Sequence, residues 1–255
     1  MDVSLSRQVI VVTGSTQGLG EAIARLAADS GAAGIIVTGR DAARGQAVAT
    51  SLPCPTHFVQ AELADPAGPT AIIAAALERF GRIDGLVNAA ALTDRSTMLD
   101  GDVAHWNRMF SVNTRAPYFL IQGAIADMLG RKAPGAIVNI LSVNIHCGSP
   151  DLAVYSATKG ALATLTKNAA NAHLRDRIRV NGIVMGWTLT PAEHQMQAVT
   201  LGRGEGWVDE VNATRPLGRL LTPEELARLT AFLLSDASGL MTGSLIEMEQ
   251  RVLGA

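Results

Sequence analysis

Val9-Ile10-Val11-Val12-Thr13-Gly14-Ser15-Thr16-Gln17-Gly18-Leu19-Gly20 is the stretch that decides how this chain folds. Its first four residues are apolar and β-branched, which suits a strand buried on both faces of a parallel sheet. Three glycines follow, and then a helical pattern from Gly20 to Asp29 with apolar residues at Ile23, Leu26 and Ala27. Glycine lets a chain turn tightly and lets its backbone approach a diphosphate closely. A helix N-terminus presents free N–H groups and a positive dipole end to such an anion. The spacing G-x-x-x-G-x-G is one residue longer than the common G-x-G-x-x-G fingerprint. In isolation it also reads as a plain turn with close helix–sheet packing. Its place at the first βα junction of an alternating chain favours nucleotide binding.

The alternation continues outward. Ile35-Ile36-Val37, Leu86-Val87 and Ala136-Ile137-Val138-Asn139-Ile140 read as further strands without a polar face. Between them lie helix-length segments. Pro66 to Phe80 follows Asp65, an expected N-cap with proline at the first helical position. Thr222-Pro223-Glu224-Glu225 opens another helix in the same way, as a capping box. No repeat, low-complexity tract or linker interrupts the pattern, and only Gly202 to Gly206 reads as loose. The expectation is an α/β fold of one domain over residues 1–255, a single doubly wound, Rossmann-type parallel sheet with helices on both faces.

Composition narrows the function classes. The chain has 255 residues, 48% hydrophobic and 17% charged, with 21 basic and 23 acidic residues for a net charge of −2. No basic run marks a nucleic-acid footprint, so no nucleic-acid partner is expected. Cys54 and Cys147 can build no disulfide framework, their spacing suits no zinc site, and no metal is expected. Cys147 has no neighbouring base and is read as a small buried or loop residue. The opening residues do not resemble a signal peptide, and the longest apolar run, Ala71 to Leu77, is short of a membrane span. A soluble, cytoplasmic protein with no membrane association is expected.

At the end of the second strand a carboxylate would accept the ribose 2′-hydroxyl of NAD, whereas a basic residue would meet the 2′-phosphate of NADP. Here the chain reads Thr38-Gly39-Arg40, with no carboxylate before Arg40 and a glycine that leaves room for a phosphate. That favours NADP and leaves NAD open, since Arg40 also reads as a solvated surface side chain. Asp41 is expected to cap the next helix.

Tyr155-Ser156-Ala157-Thr158-Lys159 begins a helix that runs on through Leu162 and Leu165. Residues four apart share a helix face, about 6 Å apart along the axis. Tyrosine ionises near pH ~10, and a nearby ammonium favours its phenolate. Tyr155 with Lys159 one turn on is therefore a candidate proton donor and acceptor. Ser142 ends the strand that begins at Ala136, at the carboxyl edge where such sheets hold ligands. A hydroxyl there can hydrogen-bond a reacting oxygen as charge develops. A strand-end serine and a Tyr-x-x-x-Lys are each common, and their joint position carries the argument.

With these residues in place the chain resembles the short-chain dehydrogenase/reductase family, in its single-domain branch, over essentially its whole length. Thr13 to Gly20 matches the family's T-G-x-x-x-G-x-G turn, so Gly14, Ser15, Gln17, Gly18, Leu19 and Gly20 are implied cofactor residues. Asn88, Ala89 and Ala90 fall where the family has an N-N-A-G segment beside the cofactor. Glu62-Leu63 falls where an Asp and an apolar residue usually meet adenine. Asn113, Ser142, Tyr155 and Lys159 match the family's catalytic tetrad. Asn181 to Thr190 resembles the segment after the sixth strand, which places Gly186, Thr188 and Thr190 near the nicotinamide. The departures are Ala89 and Ala91 for Asn and Gly, Met185 for proline, Glu62 for Asp, and Glu249-Gln250 where glycines are commoner. None removes a catalytic group.

The resemblance implies an NAD(P)-dependent oxidoreductase acting on CH–OH groups. Tyr155 would give a proton to a carbonyl oxygen or take one from an alcohol. Ser142 would bind that oxygen, and Lys159 would bind the nicotinamide ribose and hold the Tyr155 pKa down. Asn113 would interrupt its helix and help order a water reaching Lys159. Asn144, His146, Trp187, Glu193, His194, Asp94 and Arg95 are the expected substrate lining. That polar set points to a small-molecule carbonyl or alcohol such as a sugar, a polyol or a small ketone. His146 reads equally as a surface-loop histidine. Residues 188–214 are expected to form a substrate lid loosened by Gly202, Gly204 and Gly206. Trp106 and Met109 read as packing residues, and the resemblance implies a homotetramer or homodimer. The rival reading is a dinucleotide-binding regulatory protein without turnover. An isomerase or dehydratase, or a purely structural α/β domain, fits less of the pattern.

Overall fold

The computed structural model describes residues 3–146 and 149–252; Cys147, named above, lies outside the described residues. Seven strands form one parallel sheet: β1 (Val9–Val12), β2 (Gly34–Gly39), β3 (Thr56–Gln60), β4 (Gly85–Asn88), β5 (Gly135–Ile140), β6 (Ile178–Met185) and β7 (Leu245–Met248). Their spatial order is β3-β2-β1-β4-β5-β6-β7. The order therefore reverses between β1 and β4, and a crevice opens there at the carboxyl ends of the strands.

The unbroken apolar strands serve two cores. Ile10, Val12, Ile35, Val37 and Val87 face one layer, against α1 (Gly18–Asp29), α2 (Ala42–Ser51) and α9 (Pro223–Leu234). Val11, Ile36, Leu86, Ile137 and Val184 face the other, against α3 (Ala67–Phe80), α5 (Ala116–Gly130) and α6 (Ala153–Ala172). Alternate residues point to opposite faces, so a strand covered on both sides has no polar position to spare. The shorter helices are α4 (Val103–Phe110), α7 (Pro191–His194) and α8 (Trp207–Asn212).

Helix ends follow the local chemistry. The Asp65 carboxylate accepts from the Ala67 N–H at 2.9 Å, while Pro66 already has helical dihedrals just before α3. The Asp41 carboxylate caps α2 at the Arg44 N–H. The Glu225 carboxylate accepts from the Thr222 N–H at 2.9 Å, half of a capping box at the start of α9. The Gly202–Gly206 stretch is less loose than expected, because Arg203 donates to Gln197 at 3.0 Å and pairs with Glu210 at 3.1 Å. Among the described residues no helix is long and apolar enough to cross a membrane.

One buried charge ties the amino edge of the sheet together. Asp84 accepts from the Val9 N–H at 2.9 Å and from Arg82 at 2.6 Å, and Arg131 at the end of α5 lies 3.4 Å away. Removing the carboxylate leaves a strand N–H without a partner. Asp84→Ala is expected to lower unfolding free energy by about 1.5–3 kcal/mol, the usual scale for hydrogen bonds to a charged group. A urea titration that shows no loss contradicts this role.

Candidate active site

A cleft of about 1310 Å³ runs along the carboxyl edge of the sheet, and both the glycine turn and the Tyr155 helix open onto it. The turn is built by steric necessity. Gly14 has φ +66°, and a Cβ there would stand 2.9 Å from the Ala90 backbone. A Cβ on Gly20 would stand 2.3 Å from the Gly14 carbonyl oxygen. Thr13 accepts from the Ala89 and Ala90 N–H groups at 3.0 and 3.1 Å, which fixes the end of β4 against the turn. Ser15 donates to the Val12 carbonyl at 2.7 Å and accepts from the Thr38 N–H at 3.0 Å. It is a buried staple between β1 and β2 that does not line the cleft. No side chain caps the start of α1. Its N–H groups and dipole therefore face the cleft, as a diphosphate requires.

Arg40, at the end of β2, is largely exposed and lies 3.9 Å from Glu62. Gly39 lines the cleft, and Thr16 Cγ2 takes up the place its Cβ would occupy, at 2.4 Å. The added cation at this end is Arg44, one turn into α2, which donates to Asp41 at 2.8 Å and to the Gln17 side chain. Arg44 stands four positions after Arg40, inside a helix where no motif marks it. Leu63, Ala89, Ala90, Gly186, Thr188 and Thr190 line the cleft. Asn88 does not line it; it is buried and donates to Asn139 at 2.8 Å, which in turn donates to Thr166 on α6 at 2.9 Å.

The four expected catalytic residues converge from different elements. Asn113 sits in a π-helical turn, Ser111–Arg115, between α4 and α5. Its side chain accepts from the Leu92 N–H at 2.8 Å and donates to the Leu92 carbonyl at 2.9 Å and to Thr158 at 3.1 Å. It thus clamps the segment after β4 to α6. Ser142 follows β5 and lines the same cleft as Tyr155, where its hydroxyl favours the Tyr155 phenolate. Asn144 donates from its backbone and side chain to Ser142 Oγ, both at 3.2 Å. Lys159 Nζ lies 5.9 Å from the Tyr155 ring centroid and donates to the Ile140 carbonyl at 2.7 Å.

Burial sets the protonation of this pair. It pushes the Tyr155 phenol up to about 12, against the opposing effect of the Ser142 hydroxyl. It pulls the Lys159 ammonium down to about 8. The expectation that Lys159 holds the Tyr155 pKa down is not met, because the ammonium is aimed at Ile140 and burial dominates. Tyr155 therefore carries its proton at neutral pH, the form that donates.

The end expected to take substrate is formed in part by the segment after β6. Trp187 and Gln197 both donate to Glu193 Oε1 at 2.8 Å. Arg95 lies between Asp151 at 3.5 Å and Glu193 at 3.7 Å. Asn144, His146, Trp187, Glu193 and Arg95 line the cleft, with His146 paired to Glu247 at 2.8 Å. Asp94 and His194 do not line it. Asp94 is turned to Arg108, and His194 packs edge-on to Trp207 and meets Glu205 at 3.2 Å. Arg203, Arg215 and Glu249 line it unforeseen, since they arrive from distant segments without a local pattern. Trp106 stacks on Phe110 with much of its surface exposed, and Met109 is fully buried.

Comparison with known proteins agrees with this geometry. A family model described as enoyl-(acyl carrier protein) reductase matches residues 14–250. The chain is 32% identical to cis-4-hydroxycyclohexanecarboxylate dehydrogenase of Sinomonas cyclohexanicum, covering 98% of each chain. A solved short chain dehydrogenase/reductase family protein superposes with a TM-score of 0.83 at 35% identity over 97% of each chain. L-sorbose reductase of Gluconobacter frateurii, complexed with NADPH and L-sorbose, superposes over 100% of both chains with a TM-score of 0.93 at 30% identity.

The buried ammonium makes a stability prediction. Lys159 has a folded pKa near 8 and an ordinary value of 10.5, so its burial opposes folding below pH 8. That opposition is relieved as pH rises from about 8 to 10.5, where the unfolded chain binds more protons than the folded one. Lys159→Met is expected to be more stable than the parent at pH 7, by on the order of 2 kcal/mol after the lost Ile140 hydrogen bond. The gain should shrink towards pH 10.5. Thermal melts across that range check both signs; a variant less stable at pH 7 contradicts the assignment.

Proposed function

The chain belongs to the short-chain dehydrogenase/reductase family, and on that premise we propose that it is an NADP-dependent oxidoreductase of a hydroxylated small molecule, such as a sugar, a polyol or a small ketone. The observation that carries this is the shared cleft. One end is a glycine cradle flanked by Arg40 and Arg44, and the other holds a protonated tyrosine against Ser142. The glycine turn fits a dinucleotide because side chains are sterically excluded where its diphosphate would lie. When bound, the nicotinamide supplies or accepts the hydride.

The protein's own residues handle the proton and the placement. In reduction Tyr155 donates its phenolic proton to the carbonyl oxygen, and in oxidation it takes the proton from the alcohol. Ser142 stabilises the charge that develops on that oxygen, held in orientation by Asn144. Lys159 would bind the nicotinamide ribose, and Asn113 fixes the loop and helix that form the pocket wall. Residues 188–214 act as the lid over the substrate. The protein works in the cytoplasm as a homotetramer or homodimer, a reading supported by the exposed Trp106, Tyr118 and Phe119 on α4 and α5. The full tetrad argues against a regulatory protein without turnover.

The test is Tyr155→Phe, assayed with NADPH against a panel of sugars, polyols and small ketones. Turnover is expected to fall by at least about a hundredfold, the scale of a lost general acid, while NADPH affinity changes little. Retained turnover contradicts the assignment of Tyr155. A second test concerns cofactor choice. Arg40→Ala and Arg44→Ala should each weaken NADPH more than NADH, by about tenfold for a lost charge-assisted contact. Equal weakening of both cofactors removes the 2′-phosphate role.

A further inference from the structure

Beyond Tyr155 the cleft is more cationic than a neutral polyol requires. Five arginines line that end: Arg95, Arg108, Arg203, Arg215 and Arg251. Three are matched by carboxylates. Arg95 lies between Asp151 and Glu193, Arg108 meets Asp94, and Arg203 pairs with Glu210. Arg215 differs. Like the exposed Arg251, its side chain has no ion pair or hydrogen bond among the described residues; unlike Arg251, its Nε is sealed from solvent without a partner. Its guanidinium lies over the Trp187 ring, 4.9 Å from the centroid. An aromatic face orients such a fork and strips part of its water without neutralising it.

We propose that Arg215, held over Trp187, receives an anionic group on the substrate, so that the compound turned over is a compact oxo or hydroxy acid. This rests on the oxidoreductase reading and narrows its substrate class. Trp187 hydrogen-bonds Glu193 at 2.8 Å, and the charge of Glu193 is felt at the Tyr155 hydroxyl. Arg215, Trp187, Glu193 and Tyr155 all line the same cleft, so one substrate can face both the anion site and the tyrosine. Two further facts agree. Burial lowers the pKa of Arg215, and the nearby Glu249 opposes this more than Arg251 adds to it, so what disfavours the guanidinium is its loss of water. A planar carboxylate also matches the two-pronged guanidinium. The dinucleotide phosphates have their own cradle at α1, with Arg40 and Arg44, and Trp187 lies instead just past β6.

The test is binding without turnover. Calorimetry compares cyclohexanecarboxylate with cyclohexanecarboxamide, which share a shape and differ in charge, using the protein with and without saturating NADPH. The parent is expected to bind the acid at least about tenfold tighter than the amide. Arg215→Met should bring that ratio near one, and Arg215→Lys should restore part of it. Arg25→Met, on α1 outside the cleft, should keep the parent ratio. No acid preference in the parent, a preference that survives Arg215→Met, or loss of NADPH affinity rather than acid preference in that variant overturns the proposal. Failure of the oxidoreductase reading looks different: a folded protein that binds no NADPH but retains an Arg215-dependent preference for the acid.

Discussion

Between the Gly14 carbonyl oxygen and the first turn of α1 there is no room for a side chain, since a Cβ on Gly20 would stand 2.3 Å from that oxygen. This close approach sets the rest of the site. It brings the uncapped start of α1 to the carboxyl edge of the sheet, at the reversal of strand order between β1 and β4. Gly14 in turn meets Ala90, where a Cβ would stand 2.9 Å from the backbone, so the end of β4 is fixed by the same turn. From there Leu92 is clamped by Asn113, which also holds Thr158 on the helix that carries Tyr155 and Lys159. A steric constraint at the glycine turn is thereby joined to the placement of Tyr155, the proposed proton donor.

The chemistry that follows is an effect of burial. Both members of the Tyr155–Lys159 pair are removed from water, and burial disfavours the charged form of each. The phenol is pushed towards protonation and the ammonium towards neutrality. A cleft that keeps tyrosine protonated favours it as a donor, while the Ser142 hydroxyl acts in the opposite sense and eases formation of the phenolate. The opposition of Lys159 to folding is the kind of local penalty that functional sites carry and the remaining core offsets.

Much of this was legible in the chain itself. Strands buried on both faces have no polar position, so β1, β2, β4 and β5 stood out as unbroken apolar runs. β3 and β7 did not, because they lie at the sheet edges and are only partly buried, which leaves no sharp pattern. The glycine turn was readable because sterics restrict which residues serve there, whereas Asn113, Ser142, Tyr155 and Lys159 were named as a set from the family resemblance. Cofactor-end and substrate-end details were harder. Arg44 acts from within a helix, Arg215 arrives from a segment with no motif, and Ser15 and Asn88 turned inward as staples. His194 and Asp94 found other partners, a choice made by packing between distant segments that no local spacing encodes.

The central claim is that one cleft joins a dinucleotide cradle to a proton donor, and equilibrium titration of the purified protein with NADPH and with NADH, followed by nicotinamide fluorescence, tests it most directly. The account predicts one saturable site per chain with NADPH bound more tightly than NADH. A folded protein that binds neither would show that the glycine turn serves helix–sheet packing alone, and the functional assignment would fall with it.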